Sequence, residues 1–218
     1  MRRRPVAPIR VLTHAFLIAF AFATVYPILQ IVTVSLRPGD QLYSTSLALI
    51  PDRASLAAYR TMLFEKPFLT WLRNSFVVSI AVTILGVALA STAAYAFSRF
   101  RFMGWRFGLY ALLLTQLFPA TMLMLPLYVL LKSLQLLDTF AGLVLAYTAT
   151  ALPFCIWTLR GYYDTIPVEL EQAALIDGCD PWAAFTQVTL PLAAPALAIT
   201  ALFSFMAAWS EFLVARIV

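Results

Sequence analysis

The chain has 218 residues, 62% of them hydrophobic and only 11% charged, with a formal net charge of +5. A soluble domain carries about 25% charged residues, so the composition excludes a water-soluble fold and defines an integral membrane protein. No stripe of Lys and Arg interleaved with polar residues marks a nucleic-acid surface, and two cysteines with one histidine supply neither a disulfide framework nor a metal-ligand set. Apolar stretches of about 20 residues cross a bilayer as helices, and five are predicted, at about 11–35, 75–97, 107–131, 140–159 and 192–213. The fold class is therefore all-α and polytopic, with a tail over 1–10 and a transmembrane domain over 11–218.

Arg2, Arg3, Arg4 and Arg10 precede the first apolar run, which is longer than the usual ~7–15-residue signal core and is not closed by an A-x-A site, so it is an uncleaved first span with its N-terminus in the cytoplasm. Alternation then puts 37–74 outside, 98–106 inside, 132–139 outside, 160–191 inside and the last five residues outside. The short loop with Arg99, Arg101 and Arg106 agrees with the positive-inside bias; the long first loop, with Arg37, Arg53, Arg60, Lys66 and Arg73, runs against it. In the second span, Gly86, Ala90 and Ala94 recur every four residues and suit close helix approach. The third contains Gln116, Pro119 and Pro126. Proline removes a backbone hydrogen bond and kinks a helix, and the freed carbonyl then needs a partner or water, so this span is a candidate wall of a polar path. Glu211 is the one acid inside an apolar run, where a carboxylate must face water, a partner or the protein interior.

The main polar interruption is 160–191, R-G-Y-Y-D-T-I-P-V-E-L-E-Q-A-A-L-I-D-G-C-D-P-W-A-A-F-T-Q-V-T-L-P. It predicts two short helices around a tight turn. Pro167 suits the first position of a helix, Glu169 and Glu171 the electropositive first turns, and Leu170, Ala173 and Ala174 one small apolar face. Asp177-Gly178 is a helix stop, Asp180-Pro181 a restart, and Trp182, Phe185 and Val188 line the second apolar face. Such an element wants a partner groove. Catalysis finds no residues. His14 is interfacial, there is no G-x-x-x-x-G-K-S/T loop to cradle ATP phosphates, and neither H-E-x-x-H nor G-x-S-x-G occurs.

The 160–191 segment resembles the "EAA" loop of ABC-importer permeases, roughly E-A-A-x-x-x-G followed by I-x-L-P. The match covers Gln172, Ala173, Ala174, Gly178, Val188, Leu190 and Pro191, flanked by Asp177 and Phe185. Aligning the alanines puts Gln172 at the family's acidic position and Glu171 one residue earlier. P-D-R-A-S-L-A-A-Y-R-T-M-L-F and W-L-R-N-S at 51–75, A-A-Y-A-F-S-R-F-R-F at 93–102, Phe118-Pro119, L-R-G-Y-Y at 159–163 and W-S-E-F at 209–212 extend the resemblance over nearly the whole chain. It is closest to the maltose/maltodextrin (MalG-type) branch, whose members carry one more membrane helix after this point. The resemblance implies a bacterial inner-membrane permease subunit that forms a sugar path in a heterodimer with a second permease. Two ATPase subunits would grip the loop through Glu171, Gln172, Ala173, Ala174, Asp177, Gly178, Leu190 and Pro191. A periplasmic or lipid-anchored sugar-binding protein would deliver the substrate. The chain itself would hold no cofactor, ATP being bound by the partner subunits, and Gln116, Tyr128, Trp209 and Glu211 are candidates to line the path. Trehalose or another sugar is an alternative substrate, and a scaffold that only recruits a cytosolic partner is an alternative role.

Overall fold

Long apolar runs in lipid must satisfy every backbone polar group internally, which leaves the helix as the available structure. The computed structural model describes residues 6–38, 51 and 54–216, and all regular structure among them is helical. The chain divides into two compact units, Met1–Trp71 and Leu72–Val218.

In the first unit, α1 (Val6–Ser35) is apolar around its whole circumference, the mark of a membrane span, and it is long enough to cross over Ile9–Ser35. It starts inside the predicted tail because Val6 and Ala7 extend the apolar run and proline is tolerated in a first helical turn; residues 1–5 lie outside the described residues. So do 39–50 and 52–53 of the predicted outer loop. Beyond α1, Ser35 Oγ meets the Tyr59 hydroxyl at 2.6 Å, and Ser55 N–H donates to Leu36 O at 2.8 Å. Tyr59 belongs to α2 (Ala57–Arg60), which runs into a π turn over Thr61–Glu65.

The next helix, α3 (Phe68–Arg99), begins before the predicted 75. Arg73 and Asn74 are polar but do not stop a helix; Pro67 sets the start, its carbonyl accepting from Thr70 and Trp71. The predicted third span is two helices, α4 (Trp105–Thr115) and α5 (Ala120–Ser133). Pro119 has no N–H and drives Phe118 away from helical geometry, so the chain breaks there rather than merely kinking. Then α6 (Phe140–Tyr163) passes the predicted end at 159 and keeps Pro153 inside. Its last turn is held by an Arg160–Asp164 pair, 3.0 Å and one turn apart.

The 160–191 loop holds α7 (Val168–Ile176) and α8 (Pro181–Ala184), a π turn over Phe185–Thr189, and α9 (Leu190–Leu192). The last helix, α10 (Ala194–Ser210), turns away from Pro181–Leu192 by 78°. Pro195 cannot donate to the Pro191 carbonyl and its ring crowds it, which puts the bend at Ala193. Among the described residues, three helices are long and apolar enough to cross a membrane, Ile9–Ser35, Phe68–Arg99 and Phe140–Tyr163, or four when the bent pair is taken as one span. The predicted 192–213 span is shorter because Glu211 leaves the helix at ψ 125.

Small side chains build the packed heart of the second unit. Ala90 and Ala94 of α3, Ala151, Cys155 and Leu159 of α6, and Ala193 and Ala196 at the α9–α10 bend share one buried cluster. Gly86 is buried as well, and a Cβ added there would sit 3.1 Å from Ser204 Oγ on α10. This close approach is what a small-residue face permits between membrane helices. Large apolar side chains such as Ile84, Phe107 and Leu125 point outward, as lipid contact requires.

Candidate functional site

The 160–191 loop is built by local rules. Pro167 caps α7 rather than opening it, with ψ 130 and Val168 as the first helical residue. The far end of α7 closes in a Schellman motif: Cys179 N–H donates to Ala174 O and Gly178 N–H to Leu175 O, at 3.0 and 3.2 Å. That closure needs a left-handed residue, and Gly178 has φ +96. Asp180 then caps α8, its Oδ1 accepting from Ala183 N–H at 2.7 Å, with Pro181 at the first position.

Burial separates the loop's two faces. Glu171 and Ala174 point inward, while Val168, Leu170, Ala173, Leu175 and Ile176 stay exposed, Ile176 to 87%. The small face expected of Leu170, Ala173 and Ala174 is therefore split, because the acid rather than Leu170 turns toward the protein. On the second segment Phe185 is buried and Val188 half-buried, but Trp182 is 64% exposed. Gln172, Asp177, Gly178 and Pro191 are exposed, and Leu190 packs partly buried against the core cluster.

Glu171 is the centre of a buried polar network. Its Oε1 accepts from Arg99 Nε at 2.8 Å and lies 2.7 Å from Arg99 Nη2, with 8% of each side chain exposed. Thr189 donates to Oε1 at 2.7 Å and Tyr95 to Oε2 at 2.9 Å. Arg99 also donates through Nη1 to Tyr163 O at 3.0 Å and through Nη2 to Ile166 O at 3.1 Å. Ser98, which accepts from Arg99 Nη1, donates to Asp164 Oδ1 at 2.6 Å, and Asp164 pairs with Arg160. Aromatic rings pack around these groups: Tyr95 lies 4.5 Å from Phe185 and edge-on to Tyr163. The sequence pattern pointed to Glu171 but not to Arg99, Tyr95, Ser98, Asp164 or Thr189. Arg99 had counted only as one basic loop residue, and nothing local distinguishes it from Arg101 and Arg106.

Burial pushes the Glu171 carboxyl up, but the hydrogen bonds from Arg99, Thr189 and Tyr95 and the charge of Arg99 outweigh it, and its pKa falls below the ordinary 4.5. A carboxylate with a depressed folded pKa contributes stability that is complete above the unfolded value and lost as pH falls through the folded one. The stability gap between the native chain and Glu171→Gln should therefore be constant above 4.5 and close progressively below it. Thermal unfolding in detergent at stepped pH measures this.

A second feature is a cavity of about 390 Å³ between the α4–α5 break, α6 and the segment after α10. Gln116 and Glu211 both line it, with Thr115, Thr150 and otherwise mainly apolar side chains. Gln116 Nε2 donates to Thr150 O at 3.2 Å, and Glu211 Oε1 accepts from Val214 N–H at 2.9 Å. The structure thus brings two of the four path candidates together. Tyr128 is half-buried elsewhere, and Trp209 stacks on Phe205 and tilts against Phe76 at 4.8 Å; neither lines this cavity.

Apolar helices carrying a folded polar loop between two of them, clamped from within and with several apolar side chains left exposed, define a multi-pass membrane protein. Residues 86–218 match the family described as "Binding-protein-dependent transport system inner membrane component". The maltose/maltodextrin transport system permease protein MalG of Vibrio vulnificus is 38% identical over 224 residues, spanning 94% of this chain and 74% of that protein. The Escherichia coli MalG is 37% identical over 225 residues, spanning 94% and 75%. A solved bacterial ABC transporter involved in import of the acidic polysaccharide alginate superposes with a TM-score of 0.81 at 26% identity, over 97% of this chain and 74% of that one. The chain belongs to the binding-protein-dependent inner-membrane permeases of ABC importers, as the motif resemblance indicated.

Proposed function

We propose that the chain is a permease subunit of an ATP-driven sugar importer, with maltose or maltodextrin as substrate, and that its 160–191 loop is the docking lever for ATPase subunits. The observation that carries this is the division of the loop: a buried acid holds it to the protein while Leu170, Leu175, Ile176 and Trp182 remain uncovered. Exposed apolar groups on a rigid, internally clamped element mark a docking surface. A second permease completes the path, a periplasmic or lipid-anchored binding protein delivers sugar, and two ATPase subunits hydrolyse ATP, so this chain is a transport subunit and not itself an enzyme. The N-terminus and the loop lie in the cytoplasm. Closure of the ATPase pair displaces the loop and the packed helices carry that motion to the path, as alternating access. Gln116 and Glu211 provide polar groups in a mainly apolar cavity along it.

Uptake of labelled maltose by cells with and without this gene tests the substrate; equal uptake excludes it, and trehalose or alginate oligomers are then assayed in the same way. The docking surface is tested by Ile176→Asp, which places a charge where an apolar anchor is expected. It should weaken ATPase-subunit binding by about 2 kcal/mol or more, roughly thirtyfold, in a pull-down of the solubilised complex. Unchanged binding removes α7 from the interface and favours a scaffold role. The turn gives a further prediction. A Cβ at Gly178 meets open space, so Gly178→Val acts only through its left-handed backbone, at a cost of about 1–3 kcal/mol. Sugar imported per ATP should fall while ATP hydrolysis continues; normal import in reconstituted vesicles would show that the turn does not bear on coupling.

A further inference from the structure

The docking loop is continuous in the chain with α6 at one end and with α9 and α10 at the other, so its displacement reaches those helices along the backbone. The chain provides no such direct join to α3. Among the described residues, the hydrogen bonds and the ion pair from α3 to the loop come from Tyr95, Ser98 and Arg99, within the last turn and a half of that helix. We propose that Arg99 is the positioning residue that makes α3 move with the docking loop, its guanidinium being the main link through which the stroke of the ATPase subunits enters α3, with Tyr95 and Ser98 in support. This rests on the docking role of the loop proposed above, and assigns Arg99 no contact with sugar or nucleotide.

Geometry supports a rigid link rather than a diffuse attraction. All three nitrogens of the guanidinium are engaged: Nε and Nη2 hold Glu171 on α7, Nη2 also reaches Ile166 O, and Nη1 reaches Tyr163 O and Ser98 Oγ. Three pieces of backbone, the ends of α3 and α6 and the body of α7, are thereby fixed to one planar group. The pair is 8% exposed on each side. Any slip of the loop past α3 would separate buried opposite charges, which is costly away from water. Lysine cannot reproduce the arrangement, since its donors radiate from a single nitrogen and it is a compact point charge.

The test uses the complete transporter reconstituted in liposomes, with maltose and ATP as probes. Arg99→Lys keeps the charge. The double variant Arg99→Met/Glu171→Leu replaces the buried pair by apolar side chains, and Tyr95→Phe removes a single donor. The first two should retain bound ATPase subunits while maltose imported per ATP falls roughly tenfold, within the usual range of coupling energies between sites; Tyr95→Phe should show a smaller fall of the same kind. Spin labels at Thr92 on α3 and Glu169 on α7, both exposed, should keep one separation with and without ATP in the native chain and change it in Arg99→Lys. Normal import per ATP in both Arg99 variants overturns the proposal. So does loss of import in step with loss of ATPase subunits, which would make the pair merely structural, and so does a native label separation that already changes with ATP. If the native chain retains no ATPase subunits, the docking role fails first and this inference with it.

Discussion

Glu171→Ala should be among the most destabilising single substitutions outside the membrane-spanning segments, costing about 3–5 kcal/mol, the usual penalty for removing one partner of a buried ion pair. The carboxylate accepts from Arg99, Thr189 and Tyr95. Its removal strands a guanidinium of which 8% is exposed, together with two hydroxyls. Two backbone carbonyls remain to Arg99, but neither carries a countercharge. Gln172→Ala, one residue on and exposed, should change stability by no more than about 0.5 kcal/mol. The contrast between neighbours is the sharp part of the prediction, because alignment on the two alanines puts Gln172 at the family's acidic position. Arg99→Met/Glu171→Leu should recover part of the loss, since apolar side chains of similar volume often replace a buried pair at no net cost, while the Tyr95 and Thr189 hydroxyls stay without their acceptor. Thermal unfolding of the detergent-solubilised chain decides all three; an Ala variant at Glu171 as stable as one at Gln172 would show that the carboxylate is not needed for the fold.

The legible part of this protein is what depends on sequence separations of a few residues. Apolar runs placed α1, α3 and α6, and Asp177-Gly178 and Asp180-Pro181 placed the stop of α7 and the start of α8, because a left-handed glycine and an N-cap aspartate act on their own turn. Helix ends were less legible. Arg73, Asn74, Ser98 and Arg99 are polar, and polarity marks where a helix leaves apolar surroundings, not where it ends. The break at Pro119 was predicted as a kink, since from sequence alone a proline in a helix can do either. The Arg99–Glu171 pair was beyond reach: the two residues are 72 positions apart, and only packing of α3 against the loop selects Arg99 over Arg101. That neighbour lies 4.5 Å above the Trp105 ring instead. The pairing of Gln116 with Glu211 in one cavity is of the same long-range kind, and so is the exclusion of Tyr128 and Trp209 from it.

Two glycines of α6 should respond to alanine in opposite directions. Gly142 is buried one turn after Thr139, which caps the helix by accepting from Gly142 N–H at 3.0 Å and donating to Leu136 O at 2.8 Å. The Leu136 carbonyl therefore lies directly over Gly142, and a Cβ there would fall on that oxygen, deep inside contact distance. The obstacle is backbone, tied at its other side by the Leu136 N–H bond to Leu131 O at 2.9 Å, and Leu136 and Leu137 pack on the cluster of Val78, Val82 and Tyr147. Relief requires the whole α5–α6 turn to shift. Overpacking of this kind costs about 1–3 kcal/mol or more, against at most about 1 kcal/mol gained from replacing glycine within a helix. Sterics should win, and Gly142→Ala should lower the unfolding midpoint or the yield of folded protein. At Gly161 a Cβ meets nothing within 4 Å, so only the helical gain remains and Gly161→Ala should raise the midpoint. If both alanines shift it upward, the Leu136–Thr139 turn yields readily and does not fix the start of α6.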